Sequence, residues 1–225
     1  MERVAIRITL AALAAIALGS SGANTARSGG LVDRGSQLRV HPVGGDYPEL
    51  DLSLDLTSDG GLPGRITIYV PTGFQIYPDR PAESAVGTAL IESQDSSYGT
   101  STNSTLAGDI VAEPLDPLAE QSAQTCSPGT HLALWRLELS LLGQPLDVPM
   151  YLAPTGTGDP AGAQLKLELC PPTLPTQDAS SAPALPISSL ELSLTDLEPP
   201  HAHGSYLWRV VVTPLAPDRK TLRPE

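Results

Sequence analysis

Positive charge is scarce in this chain. Its 225 residues carry 13 lysines and arginines against 25 aspartates and glutamates, a formal net charge of −12. A surface this acidic repels phosphate backbones, and no basic stripe is present, so nucleic acid is excluded as a partner. Long apolar runs are also missing. The longest, "ITLAALAAIALG" from Ile8 to Gly19, falls short of the ~20 residues that cross a bilayer. No membrane span is therefore expected in the mature protein. Aromatic residues make up only 4%. Stretches free of proline and glycine are few, because 23 prolines and 20 glycines are spread along the chain, and long helices are disfavoured accordingly. The sequence has no Gly-x-Ser-x-Gly elbow, no His-Glu-x-x-His pair and no phosphate loop. "GTGDPA" (156–161) has the form Gly-x-Gly-x-x-Ala, but Pro160 and a strand pattern follow it, which leaves no helix N-terminus for a pyrophosphate. Sugar hydrolysis finds no nominee either, since the acids sit on outward strand faces and spacing singles out no pair.

What is present begins with an address. Arg3 and Arg7, the apolar run, and then "SSGANTA" form the three parts of a secretory signal peptide over residues 1–26. Cleavage is expected after Ala23 or Ala26. The later cut removes Glu2, Arg3 and Arg7 and moves the net charge from −12 to −13. Residues 31–217 are then expected to form one domain, with 218–225 a polar tail, and the protein is placed outside the cell or in the cell envelope. Cys126 and Cys170 are the only cysteines. In an oxidising compartment such a pair is expected to bond. A Cys126–His131 nucleophile is the rival reading.

The dominant pattern is alternation. "LDLSLDL" (50–56) sets Leu50, Leu52, Leu54 and Leu56 on one face and Asp51, Ser53 and Asp55 on the other. The same period of two recurs in 65–71, around Leu137, Leu139 and Leu141, and in 146–152, 165–169, 190–194 and 206–212. Shorter candidates lie at 37–43, 86–92 and 108–113. Side chains on a strand point to opposite faces in turn, so each segment is expected to be wet on one side and packed on the other. Nine or ten such strands with Pro- and Gly-rich joints predict an all-β sandwich. One short helix is expected within 113–124, and loops at 92–105, 154–163 and 171–186. Residues 52–70 also align without gaps to 192–210: Leu52, Ser53, Leu54, Gly64 and Val70 match Leu192, Ser193, Leu194, Gly204 and Val210. Both read as hairpins.

The segment "LSLTDLEPPHAHGSYLWRVVVTP" (192–214) resembles the strand E to strand F corner of immunoglobulin-like and fibronectin-type sandwiches. The resemblance implies an immunoglobulin-like β-sandwich, with Tyr206 as the corner tyrosine and Trp208 as the buried aromatic after it. The rest of the chain is similar in style to uncharacterised exported sandwich proteins of bacteria, a likeness that implies no activity. "YLWRVVV" is also similar to a strand of periplasmic copper-resistance sandwich proteins. Here the spacing is Tyr-x-Trp-Arg, and the mature chain does not begin with the histidine those proteins use.

His201 and His203 are the candidate metal ligands. They would offer two imidazoles to copper or zinc, with His41, His131 or Glu198 completing the set. The bland alternative is an ordinary Pro- and Gly-flanked turn. "DLTSDGGLP" (55–63) imitates the start of a calcium loop, with Asp55, Thr57, Asp59 and Gly60 at positions 1, 3, 5 and 6, but position 12 is Ile66 instead of a glutamate. The reading that follows is an exported, non-catalytic module for binding, adhesion or the cell envelope, with no cofactor and an unspecified extracellular or envelope partner. A small metal-binding sandwich built on His201 and His203 is the alternative.

Overall fold

The computed structural model describes residues 24–27, 37–43, 49–56, 61–95, 102–141, 143–172, 185–200, 205–216 and 222. Thirteen strands and one helix are found among them. The strands are β1 (Asn24–Arg27), β2 (Gln37–Val43), β3 (Glu49–Asp55), β4 (Pro63–Pro71), β5 (Gln75–Ile76), β6 (Ala85–Asp95) and β7 (Thr102–Glu113). After the helix α1 (Pro117–Ala123) come β8 (Ala133–Leu141), β9 (Gln144–Pro154), β10 (Ala163–Leu169), β11 (Ile187–Leu194), β12 (Leu197–Glu198) and β13 (Arg209–Pro214).

Eleven strands join one antiparallel sheet in the order β1-β2-β3-β11-β6-β7-β8-β9-β10-β4-β13, and β5 and β12 form a separate short pair. The outermost strands β1 and β13 approach each other, so the sheet turns one face inward. Alternation supplies that face: Leu50, Leu52 and Leu54 of β3, Ile66, Ile68 and Val70 of β4, and Leu190, Leu192 and Leu194 of β11 are all buried in one core. Trp135 of β8 and Trp208, just before β13, join it. Each such side chain contributes about 1.5–3 kcal/mol by leaving water. The all-β class is therefore the direct result of a period-two pattern with one oily face.

The structure departs from the sequence reading at several places. Of the loop expected at 92–105, residues 92–95 and 102–105 are strand, since β6 runs to Asp95 and β7 starts at Thr102, pairing from Asp95↔Thr102 onward; 96–101 lie outside the described residues. Serine and threonine look loop-like in composition, yet they sit comfortably on a sheet face, and Ser93 is buried there. Residues 206–208 precede β13 instead of starting it. The two supposed hairpins are arches: β3 pairs with β2 and β11, whereas β4 pairs with β10 and β13. Each arch carries the chain from one part of the sheet to another. The expected helix within 113–124 is α1, seven residues long. Pro117 sits in its first turn, and the N-cap Asp116 accepts from the amides of Leu118 at 2.9 Å and Ala119 at 2.8 Å.

Candidate functional site

Two regions concentrate polar side chains, and both lie on the outward sheet face. The first is a groove of ≈ 670 Å³ across β2, β3, β11, β6 and β7. Strand register builds it. His41 faces Asp51, Asp51 faces Ser193, Ser193 faces Thr88, and Thr88 faces Asp109. One row of polar groups thus crosses five strands, with Ser53 and Glu191 paired in the next row. The Ser193 hydroxyl lies 2.6 Å from an Asp51 carboxylate oxygen and also meets Glu49. Gly108 keeps its strand close to β8: a Cβ there would sit 1.8 Å from the Glu138 carbonyl oxygen.

The second region is buried. The outward face of β8, β9, β10 and β4 should be wet by the alternation rule, but α1 and the segment after it cover part of it. Ala123, Leu134, Tyr151 and Cys170 make a small second core there, with Leu115, Ala119 and Cys126 packed against it. Cys126 is disulfide-bonded to Cys170, with Cα atoms 6.1 Å apart. The bond ties the loop after α1 to the end of β10. It also removes the Cys126–His131 nucleophile, because Cys126 has no thiolate to offer.

Beside the disulfide, the next residue makes a chain of hydrogen bonds. Ser127 Oγ lies 2.8 Å from His131 Nε2, and His131 Nδ1 lies 2.7 Å from Glu120 Oε2. That is the connectivity of a serine, histidine and acid triad. Two features separate it from a working one. Ser127 is 0% exposed, so no acyl group reaches it in this arrangement. Its hydroxyl also donates to a second carboxylate, Glu168 Oε2, at 2.5 Å. Glu168 is itself 1% exposed and is surrounded by donors: Thr67 Oγ1 at 3.4 Å, Lys166 Nζ at 3.5 Å and Arg65 Nη1 at 3.8 Å. Nearby, the Tyr69 hydroxyl donates to Asp159 at 2.9 Å. Burial, that bond and the charge of Asp159 push its phenol well above the ordinary value of 10.0.

The residues nominated from sequence scatter. His201 and His203 lie outside the described residues, as do Thr57, Asp59 and Gly60 of the calcium-like stretch. His41 belongs to the groove, and Glu198 accepts from the Tyr77 hydroxyl at 2.8 Å. Both ring nitrogens of His131 are engaged, so it is not a free ligand. Among the described residues no group of three or more histidines, cysteines, aspartates or glutamates is placed to hold a metal ion. Trp208 is buried and meets Phe74 edge-on at 4.9 Å, and Tyr206 packs on the same ring at 5.4 Å. Ser127, Glu120 and Glu168 were missed in the sequence because no local spacing links them; 41 residues part Ser127 from Glu168. The chain matches no family model, no curated protein and no solved structure.

Proposed function

We propose that this chain is an exported, non-catalytic β-sandwich of immunoglobulin-like type that binds an extracellular or envelope partner through the outward groove of β2, β3, β11, β6 and β7. The single observation behind the reading is the polar row His41, Asp51, Ser193, Thr88 and Asp109, which crosses five strands and lines the groove. With Glu49 and Glu191 beside it, the groove suits a partner presenting cationic and hydrogen-bonding groups. The sealed Ser127 supports the absence of hydrolysis. A signal peptide cut after Ala23 would leave β1 whole, whereas a cut after Ala26 would leave only Arg27 of it, so the earlier site is favoured.

The test is titration with an oligo-arginine peptide, followed by NMR of the groove amides. Binding that weakens with salt and is lost in Asp51→Asn/Asp109→Asn/Glu191→Gln is the expected result. Equal binding by that triple variant would remove the groove from the proposal. A fluorophosphonate probe should leave Ser127 unlabelled, and labelling that disappears in Ser127→Ala would make the protein a hydrolase instead.

A further inference from the structure

Taking that groove as the binding face, we infer that its ligand is a linear polyamine, laid across the strands with one end ammonium on Asp51, the other on Asp109, and a secondary ammonium between them. Strand register sets the spacing. Asp51 on β3 and Asp109 on β7 end a row whose middle members are Ser193 on β11 and Thr88 on β6. Three strand spacings separate the two aspartates, about 14 Å. An extended triamine with three- and four-carbon spacers holds its end nitrogens about 11 Å apart. Charge-assisted bonds of about 2.8 Å at the two ends span the rest. The hydroxyls suit the middle nitrogen. Ser193 directs its only hydrogen towards the Asp51 and Glu49 carboxylates, so its oxygen presents lone pairs to a donor. Thr88 is exposed beside it and lines the groove.

Charge and polarity along the groove separate this ligand from a basic peptide. Among the described residues no lysine or arginine pairs with Asp51, Asp109 or Glu191. Acids outside the groove are matched instead: Arg39 meets Asp55 at 2.8 Å, and Arg136 meets Glu113 and, at 2.7 Å, Glu138. Glu191 stands two residues before Ser193 on the same face of β11, a third carboxylate beside the path. Leu90 and Ala107 face each other on β6 and β7, an apolar strip next to Thr88 and Asp109. Methylene spacers rest on that strip without loss, whereas a peptide backbone laid over it would set amides against apolar surface without partners.

The experiment is calorimetric titration of the mature chain, disulfide intact, with spermidine and with 1,4-diaminobutane. The diamine holds its nitrogens only about 6 Å apart, too short to meet both aspartates. One spermidine per chain is expected, bound about tenfold or more tighter than the diamine. Asp109→Asn should remove most of that margin, and Asp55→Asn, at an acid already paired with Arg39, should keep it. Equal affinity for the two amines, or spermidine binding untouched by Asp109→Asn, would overturn the polyamine. An oligo-arginine peptide titrated into the same sample tells the two readings apart. If the peptide binds and spermidine does not, the polyamine is wrong and the groove stands; if neither binds, both fall.

Discussion

The two arches, β3 to β4 and β11 to β13, are worth setting side by side. They share a sequence echo at a spacing of 140 residues, and they lie against each other. Leu52 of β3 faces Leu192 of β11. Tyr69 of β4 faces Arg209 of β13. Both facing pairs are separated in sequence by that same offset, so each pairing carries a residue of the first arch onto its counterpart in the second by a local twofold. Two copies of one strand–turn–strand unit related by a twofold would give this register. Inward positions agree: Leu50 with Leu190, Leu54 with Leu194, Ile68 with Trp208 and Val70 with Val210 are all buried. The tips differ. Leu56 of the first arch is only partly buried, while its counterpart Asp196 is 0% exposed and clasped by Arg80. Core faces tolerate only apolar side chains of about the right volume, whereas tips meet whatever the neighbouring chain supplies.

Substitutions at counterpart positions measure how deep the likeness goes. Trp208→Ala should lower unfolding free energy in urea by about 3–5 kcal/mol, and Ile68→Val by about 0.5–1.5 kcal/mol, because the second arch fills the larger volume. Equal losses would mean that the surroundings of Trp208 collapse around the cavity. Opening the Cys126–Cys170 bond, which lies outside both arches, should cost up to about 4 kcal/mol. Its effect should leave the ranking of the arches unchanged, and a thiol count before and after reduction confirms the state tested. Arg80→Ala strands the Asp196 carboxylate in the interior. The expected loss is about 2 kcal/mol, less than for a fully buried pair because Arg80 is 41% exposed. Leu56→Ala, the matching test at the first tip, should cost less, about 1 kcal/mol. A larger loss there than at Arg80 would reverse the contrast.

The smallest effect is at Tyr69, one member of the facing Tyr69 and Arg209 pair. Its phenol is held above its ordinary value of 10.0 by burial and by the bond to Asp159. The unfolded chain therefore releases that proton first. Stability from this group is complete below about pH 10 and falls as pH rises through the folded value. Melting temperatures taken from pH 9 to 11 should decline less steeply in Tyr69→Phe than in the unmodified protein, and parallel slopes would remove Tyr69 from the alkaline response.

Much of this was legible beforehand, and the reason is visible in particular residues. Leu50, Leu52 and Leu54 declared an inner face because a strand repeats every two residues, and Gln37–Val43 was read to the residue. The bond of Cys126 to Cys170 followed from there being only two cysteines in a chain that reads as exported. The arches were misread as hairpins because the distance between consecutive strands in sequence says nothing about which strands they join. The Ser127 network was not visible at all. Its serine and histidine sit on a short loop, its acids on a helix and on β10, and each alone reads as an exposed polar residue.

The sequence by itself determined the periodicity, and with it an all-β chain with one oily face per strand, since side-chain direction is a local property of extended backbone. Only the tertiary structure decided which strands pair, that β3 lies against β11 and β4 against β13, and that the loop after α1 brings Ser127 onto Glu168. Those choices depend on contacts between residues tens to more than a hundred positions apart, where the energy gained belongs to neither segment alone.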